Sequence, residues 1–192
     1  PGTTRTATLS VGGVDTTWTV QTATCTPGNT TVNYTGGIVN FTQPTGCYTL
    51  VVETWGAQGG GSSSGGTTGG FGAYIKGTIS TIPGTVYKVL AGGQGSTGGL
   101  SGGGGGGSFV TTNANAPIMI AGGGGGSYNS SVNGQVGQIT TSGGTATQAG
   151  GTSGAGGNGG STGSNGGAGL TGNGGASGAP IYQVPLSFVN GG

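Results

Sequence analysis

Charge is almost absent from this sequence of 192 residues, and histidine is missing altogether. Acid–base catalysis draws on His, Asp, Glu, Lys or Cys side chains that lie near one another, and metal sites need clusters of His, Cys or carboxylate ligands. Nucleic-acid binding needs a basic surface that displaces counterions, which a formal net charge of +1 does not provide. We therefore expect no enzyme, no cofactor or metal, and no nucleic-acid partner. The charged residues are Arg5, Asp15, Glu53, Lys76 and Lys88.

Large apolar residues are also scarce, because hydrophobic side chains make up only 30% of the chain. A large aliphatic core is therefore not expected, and no apolar run is long enough to predict a membrane-spanning helix. Disorder usually accompanies high net charge, whereas a neutral chain tends to associate. The composition thus favours an ordered or assembled state.

Glycine is the abundant residue, with 55 of 192 positions. Because glycine costs about 1 kcal/mol at each helical position, we predict an all-β chain with essentially no α-helix. Short apolar or Thr/Val-rich stretches between the glycine-rich blocks predict strands, and Pro185 makes the last one an edge strand or a bulge. The predicted strands are Thr6–Val11, Val14–Val20, Val32–Tyr34, Ile38–Phe41, Tyr48–Trp55, Ala73–Ile79, Val86–Leu90, Ser108–Thr111, Ile118–Ala121 and Ile181–Val189.

Cys25 and Cys47 are the only cysteines, and they predict one disulfide, the alternative being two free buried thiols. A bridge closing a loop of this size would contribute roughly 3 kcal/mol in the chain-entropy model. Disulfides persist in oxidising compartments, so we expect an extracellular protein, either secreted or part of a cell-surface appendage. The chain begins Pro-Gly rather than Met, from which we expect a processed mature form.

A three-residue register marks the last glycine-rich block. A period of three matches the polyproline II helix, and glycine at each third place leaves one ridge without side chains. A packed bundle of such helices, a flexible linker and a collagen-like triple helix are the alternatives; the shortage of proline disfavours the last. The register consists of Gly151, Gly154, Gly157, Gly160, Gly163, Gly166, Gly169, Gly172, Gly175 and Gly178.

Four segments resemble a known domain. They are Val32–Gly61, Gly69–Gly95, Gly102–Val110 and Pro117–Gly126, and the strand that ends in Thr54-Trp55-Gly56-Ala57-Gln58-Gly59-Gly60 is their most specific piece. Their order and content resemble the glycine-rich domain of the anaplastic lymphoma kinase and leukocyte tyrosine kinase receptors. They are still more similar to the glycine-rich domains of bacterial surface proteins.

The resemblance covers residues 32–190. It implies a β-sandwich like the jelly roll of tumour necrosis factor, with a bundle of glycine-rich polyproline II helices inserted into its connections. The receptor version has more cysteines and binds protein hormones, and no hormone-binding residues can be matched here. We therefore carry over the fold and not the receptor function.

Residues 1–31 fall outside the resemblance and predict a separate N-terminal segment, followed by the glycine-rich domain at 32–192. The first two predicted strands flank Gly12-Gly13, which is a hairpin signal. We expect this segment to be an assembly arm that adds as strands to the sheet edge of a neighbouring subunit. The residues predicted to carry this contact are Leu9, Val11, Val14, Trp18 and Val20.

Three side chains invite a functional interpretation. Trp55 could be a ligand platform, but core packing at a strand end is the favoured interpretation. Glu53 lies in an otherwise apolar strand, and we expect a structural ion pair with Lys76 or Lys88, or an exposed position on the strand face, rather than a catalytic role. Tyr128, after a glycine run, is a candidate binding residue at a bundle tip.

Three functions fit these features. The favoured one is a secreted structural subunit that assembles with itself into an extracellular filament or sheath, by strand addition and glycine-helix packing. The alternative is an adhesin or receptor-binding tip of a cell-surface or phage appendage, whose partner would be a host-surface receptor. A lesser alternative is an ice-binding protein with a neutral, Thr-rich face.

Overall fold

The protein is all-β in the part of the chain that the computed structural model describes, which is residues 4–11, 14–21, 24–145, 148–160, 165–176 and 184–191. These residues contain eight strands, one 3-10 turn at Phe188–Asn190, and no α-helix. All eight strands coincide with predicted ones, and their ends agree with the prediction to within two residues. The strands are β1 (Thr4–Val11), β2 (Val14–Gln21), β3 (Val39–Thr42), β4 (Thr49–Trp55), β5 (Tyr74–Ser80), β6 (Val86–Leu90), β7 (Ser108–Thr112) and β8 (Pro117–Ala121).

The strands form three antiparallel sheets. β1 and β2 pair only with each other, β4 pairs with β5, and the third sheet has the order β3-β6-β7-β8. The β4–β5 sheet packs on the β7–β8 side of the four-stranded sheet, which gives a β-sandwich-like arrangement. The core between these two sheets is formed by Val52, Val110 and Met119, with Leu50, Ile75 and Val89 packed against them.

The opposite face of the four-stranded sheet is also covered. Phe109 alternates with Val110 along β7, so the two residues lie on opposite faces. The rings of Phe109 and Phe188 lie 5.5 Å apart between centroids, and Leu90 completes this second buried cluster. The C-terminal segment thus covers the sheet with one aromatic side chain.

Two predicted strands are wrong. Residues 32–34 are not in a sheet, and Tyr34 is 64% exposed; such a short stretch cannot form a ladder without a neighbouring strand. Within the predicted strand Ile181–Val189, residues 181–183 lie outside the described part, and the remainder is irregular before it enters the 3-10 turn. Pro185 has no N–H to give to a ladder, and Phe188 turns into the core instead.

Six glycine-rich segments extend the sandwich beyond the ends of its strands. Residues 56–62 and 67–73 connect β4 to β5, residues 92–98 and 102–107 connect β6 to β7, and residues 122–127 and 134–138 follow β8. We call them the first to sixth glycine segments. Each consecutive pair runs antiparallel and is joined by one turn, so the three turns lie at the end of the bundle away from the strands.

Hydrogen bonds between these segments recur at every third residue. The N–H groups of Gly56, Gly59 and Ser62 donate to the carbonyls of Ala73, Gly70 and Thr67 at 2.8–3.0 Å. In the first segment, Ala57 and Gly60 donate to the fourth segment with the same spacing. Regular strands cannot explain this pattern, because their side chains and ladder bonds alternate with a period of two.

Close approach of the backbones explains why these positions are glycine. A Cβ added at Gly59, Gly60 or Gly72 would lie closer than 3.0 Å to a carbonyl group of a neighbouring segment. Real Cβ atoms essentially never make such contacts. The bundle therefore depends on the missing side chains, whereas the sandwich depends on the ones that are present.

Candidate functional site

Titratable groups are dispersed in the described part of the chain. No group of three or more His, Cys, Asp or Glu residues there could hold a metal ion. The Nζ of Lys76 lies 2.7 Å from Oε1 of Glu53, and this ion pair was one of the two predicted for Glu53. Lys88, the other candidate, donates to Oδ1 of Asn115 at 2.9 Å.

The ion pair lies on the solvent-facing side of the β4–β5 sheet, where Glu53 and Lys76 are cross-strand partners. The hydrogen bond from Lys76 lowers the pKa of Glu53, desolvation opposes it, and the lysine charge and the Tyr74 hydroxyl add to it. The hydrogen bond to Glu53 likewise raises the pKa of Lys76. Both side chains are accessible to water, so the pair is a surface feature with little effect on stability.

The same face carries exposed aromatic and aliphatic side chains. Trp55 is 60% exposed, so its predicted core packing is wrong; its ring lies 5.1 Å from that of Tyr74, its cross-strand partner. Tyr74 and Val51 are also exposed, whereas the alternate residue Val52 faces the core. The two-residue periodicity of a strand explains why Trp55 is exposed. Val52 faces the core, and Trp55 is three positions further along, so it points to the opposite face.

The N-terminal hairpin carries the residues predicted for assembly. β1 and β2 pair in a continuous antiparallel register from Thr4 opposite Gln21 to Val11 opposite Val14. In the sequence, the apolar residues of both strands fall at alternate positions, between Thr, Ser, Asp and Gln residues. The predicted connection at Gly12-Gly13 lies outside the described residues. Leu9, Val11, Val14, Trp18 and Val20 all belong to these two strands.

The predicted disulfide between Cys25 and Cys47 is present, with a Cα–Cα distance of 4.6 Å. A turn at residues 44–46 precedes Cys47, whose N–H donates to the carbonyl of Pro44. Nε2 of the buried Gln43 donates to the carbonyl of Cys47 at 3.2 Å. The bridge therefore attaches the segment after the N-terminal hairpin to the start of β4.

Three turns converge at the far end of the glycine bundle and form what we call the tip, residues 62–67, 98–102 and 127–134. Oγ of Ser62 lies 2.8 Å from Oγ of Ser130, and the N–H of Ser130 donates to the carbonyl of Leu100 at 2.8 Å. Leu100 is 54% exposed. Tyr128 lies here, as predicted, but is half-buried and pairs with Val132.

The glycines of the three-residue register are partly brought together. Gly166 donates to Gly175, and Gly175 donates to Gly157, at 3.0 and 2.7 Å. An added Cβ at Gly169 would overlap the carbonyl of Gly154, which itself has a φ of +89° in a turn. The register is therefore folded back on itself rather than continuous. Gly151, Gly160 and Gly172 are described as well, whereas Gly163 and Gly178 lie outside the described residues.

Sequence reasoning missed the junction between sandwich and bundle. The hydroxyl of the buried Ser108 donates to the carbonyl of Trp55 at 2.6 Å and accepts the N–H of Gly92 at 3.0 Å. A serine directly after the glycine run of residues 102–107 was the available signal. It marks the position where the close backbone packing ends and the sheet begins.

Comparison with protein-family models, with curated proteins and with solved structures found no match to this chain. No helix long and apolar enough to cross a membrane occurs within the described ranges. The boundary predicted between residues 31 and 32 stays a prediction. Function must therefore be argued from the surfaces described above.

Proposed function

We propose that this protein is a secreted structural subunit that assembles with itself into an extracellular filament or sheath. The observation that carries the proposal is the N-terminal hairpin. Among the described strands its two eight-residue strands pair only with each other, and in the sequence their apolar residues fall at alternate positions. An isolated two-stranded hairpin is at best marginally stable in water, so a hairpin of this kind needs a partner surface.

Strand addition is the proposed mechanism. The hairpin of one subunit would bury its apolar residues against a neighbouring subunit and extend a sheet edge there. The four-stranded sheet has the edge strands β3 and β8, and both strands of the β4–β5 sheet are edge strands as well. A subunit that gives a hairpin at one place and accepts one at another makes a head-to-tail contact. Such contacts generate an open filament when the rotation between successive subunits does not close a ring.

Two finer features of the fold belong to the same proposal. We take the sandwich to be jelly-roll-like, as the resemblance to glycine-rich receptor and bacterial surface domains implies. We take the glycine segments to be polyproline II helices, because their hydrogen bonds recur with the three-residue period of that helix. The disulfide supports the extracellular assignment, since such bridges persist in oxidising compartments.

Deletion of residues 1–24 tests the proposal, because it removes the hairpin and keeps both cysteines. The truncated chain should keep the circular dichroism of the folded domain and sediment as a monomer, while the full chain forms large assemblies. A point variant gives a finer test: Leu9→Lys, at an apolar position of the alternating sequence, should block assembly, and Thr8→Lys, at a polar position, should not. Equal assembly by the truncated chain would refute strand addition by this hairpin.

The tip favours a second candidate function, a receptor-binding protein at the end of an appendage. Its three turns present serine and threonine hydroxyls and an exposed Leu100 on one compact surface. Exchange of residues 128–132 would then abolish binding to host cells without altering particle form. Discrete particles with that property would favour this candidate over a filament.

A further inference from the structure

Hydrogen bonds at both ends of the β4–β5 ladder fix which residues bond across it. At one end the N–H of Gly56 donates to the carbonyl of Ala73 at 2.8 Å. At the other end the N–H of Thr81 donates to the carbonyl of Tyr48, also at 2.8 Å. Because bonded and non-bonded pairs alternate along an antiparallel ladder, every second residue of β5 turns its N–H and C=O groups away from β4. These residues are Tyr74, Lys76, Thr78 and Ser80, and we call them the β5 edge.

The backbone groups of the β5 edge are unoccupied. Among the described strands, β5 pairs with β4 alone. No hydrogen bond from the described residues reaches the outward N–H and C=O groups of this edge, and all four of its residues are exposed. A row of free N–H and C=O groups on an edge strand is a template for pairing with another chain.

The other edges of the two sandwich sheets are less suited to strand addition. In β4, the carbonyl of Thr49 accepts from Nε2 of Gln43 at 3.3 Å, and the carbonyl of Trp55 already accepts from Ser108. β8 begins with Pro117, which has no N–H, and a register shift interrupts its pairing with β7. β3 is only four residues long. The β5 edge therefore offers the longest uninterrupted row among the described strands.

The sandwich core is also incompletely covered along β5. Ile75 and Ile79 point towards the core cluster and pack against it, but both are only half-buried. A strand added to the β5 edge would place alternate side chains beside these two isoleucines. Apolar side chains at those positions would be removed from water, which favours association.

One charge on the β5 edge restricts which strand can pair there. Lys76 binds Glu53 on its β4 side, and its side chain remains 54% exposed. An edge lysine discourages pairing with strands in general, whereas an opposite charge directly across the new pair favours it. The sequence contains two acidic residues, Asp15 and Glu53. Because Glu53 already lies in β4, Asp15 is the carboxylate that a second copy can bring to Lys76.

The sequence around Asp15 fits the same edge. Asp15 lies in β2, one residue after Val14 and three residues before Trp18. If Asp15 lies beside Lys76 on the solvent-facing side, residues at odd distances from it lie on the core side. Val14 and Trp18 would then join the half-buried isoleucines of β5. One alignment therefore satisfies both the charge and the apolar side chains.

We propose that the β5 edge is the acceptor for the N-terminal hairpin of a second copy of this chain, with β2 added beside β5 and Asp15 opposite Lys76. The inference rests on the proposed self-assembly and names the edge and the charge pair through which it occurs. Two sheets of two strands then become one sheet of four. This sheet has the three or more strands that independent stability in water requires.

Thr78→Pro tests the edge in the full chain. The N–H of Thr78 points away from β4, so proline removes a donor that no bond within the subunit uses and is tolerated on an edge strand. The variant should keep the circular dichroism of the wild type and raise the concentration needed for assembly at least about tenfold. Asn40→Pro is the matched control, because the ladder of β3 with β6 turns its N–H outward in the same way. This control should assemble like the wild type.

Carbodiimide cross-linking of the wild-type chain gives a second readout that does not depend on the folding of a variant. The reagent joins carboxylates to amines, and the side chains offer only Asp15 and Glu53 for Lys76 and Lys88. Assemblies of mixed ¹⁴N and ¹⁵N subunits should give an Asp15–Lys76 product that combines both isotopes in mass spectrometry. The Glu53–Lys76 product, formed within one copy, is the internal control.

The outcomes separate this edge from the proposed function. Assembly of Thr78→Pro at the wild-type concentration overturns the β5 edge and leaves hairpin-driven assembly standing. A product of Asp15 with Lys88, which lies opposite Asn40, overturns it in favour of the β3 edge. An Asp15–Lys76 product confined to one isotope also overturns it, because the hairpin then folds back on its own subunit. A full chain that stays monomeric refutes the proposed function and this inference together.

Discussion

Replacing Gly60 by alanine tests whether close backbone packing holds the bundle together. Gly60 is buried in the first glycine segment, donates to the carbonyl of Gly103 at 2.8 Å and accepts from Ser127 at 3.0 Å. A methyl group there would overlap the carbonyl of Ser96. The first and third segments must move apart to make room for this methyl group. The two hydrogen bonds of Gly60 are then lengthened.

The expected loss of stability follows from these contacts. Overpacking costs about 1–3 kcal/mol, and each buried backbone group that loses its partner costs roughly 1–3 kcal/mol more. Gly60→Ala, with two such groups, should therefore destabilise the fold by about 3–9 kcal/mol, a large share of the ~5–15 kcal/mol available to a typical domain. Gly99→Ala is the matched control, because an added Cβ at Gly99 has nothing within 4 Å and should change stability by less than about 0.5 kcal/mol.

Urea unfolding followed by circular dichroism measures both variants. The account predicts a large fall in the urea midpoint for Gly60→Ala and almost no change for Gly99→Ala. Equal midpoints for the two variants would refute the reasoning, because the backbones would then not be in the close contact described here.

Three further predictions follow from the sandwich and its attachments. Reducing the Cys25–Cys47 bridge should lower stability by roughly 3 kcal/mol, seen as a fall in Tm with added reductant; an unchanged Tm would mean that residues 24–47 are held by other contacts. Phe188→Ala should lower the free energy of unfolding by about 3–5 kcal/mol, because Phe188 is only 1% exposed and its ring packs on Phe109. A urea midpoint equal to that of the wild type would show that Phe188 does not cover the sheet. The pKa of Glu53 is lowered in the folded chain, so its contribution is present above the unfolded value near 4.5 and is lost as the pH falls through the folded pKa. Because the pair with Lys76 is exposed, the effect on Tm should be small, and Glu53→Gln should remove it from the Tm profile at acidic pH; a variant with the same profile would show that another group titrates there.

Strands could be predicted from the sequence where alternating residues carry the signal. Val86–Leu90 was predicted to the residue; its Tyr87 and Leu90 are buried, and its other three residues are half-buried. The exposure of Trp55 was missed, since one strand does not reveal which of its faces meets the other sheet. The burial of Phe188 was not predicted, because the interpretation of this segment was based on the missing backbone N–H of Pro185 and not on the side chains that follow it.

The positions of the glycine-rich blocks between strands could be predicted from the sequence, but the way in which their backbones pack could not. A run such as residues 102–107 indicates that side chains are absent, but it does not indicate which other segment its backbone packs against. That information lies in the order of the strands, which brings the first segment beside four others. The convergence of three turns at the tip follows from this arrangement and has no local signature.

Self-assembly is the central claim, and negative-stain electron microscopy of the purified full chain tests it most directly. The account predicts filaments or sheets with a regular repeat for the full chain and isolated particles for the chain that lacks residues 1–24. Discrete particles of uniform size for the full chain, unchanged by that deletion, would contradict it.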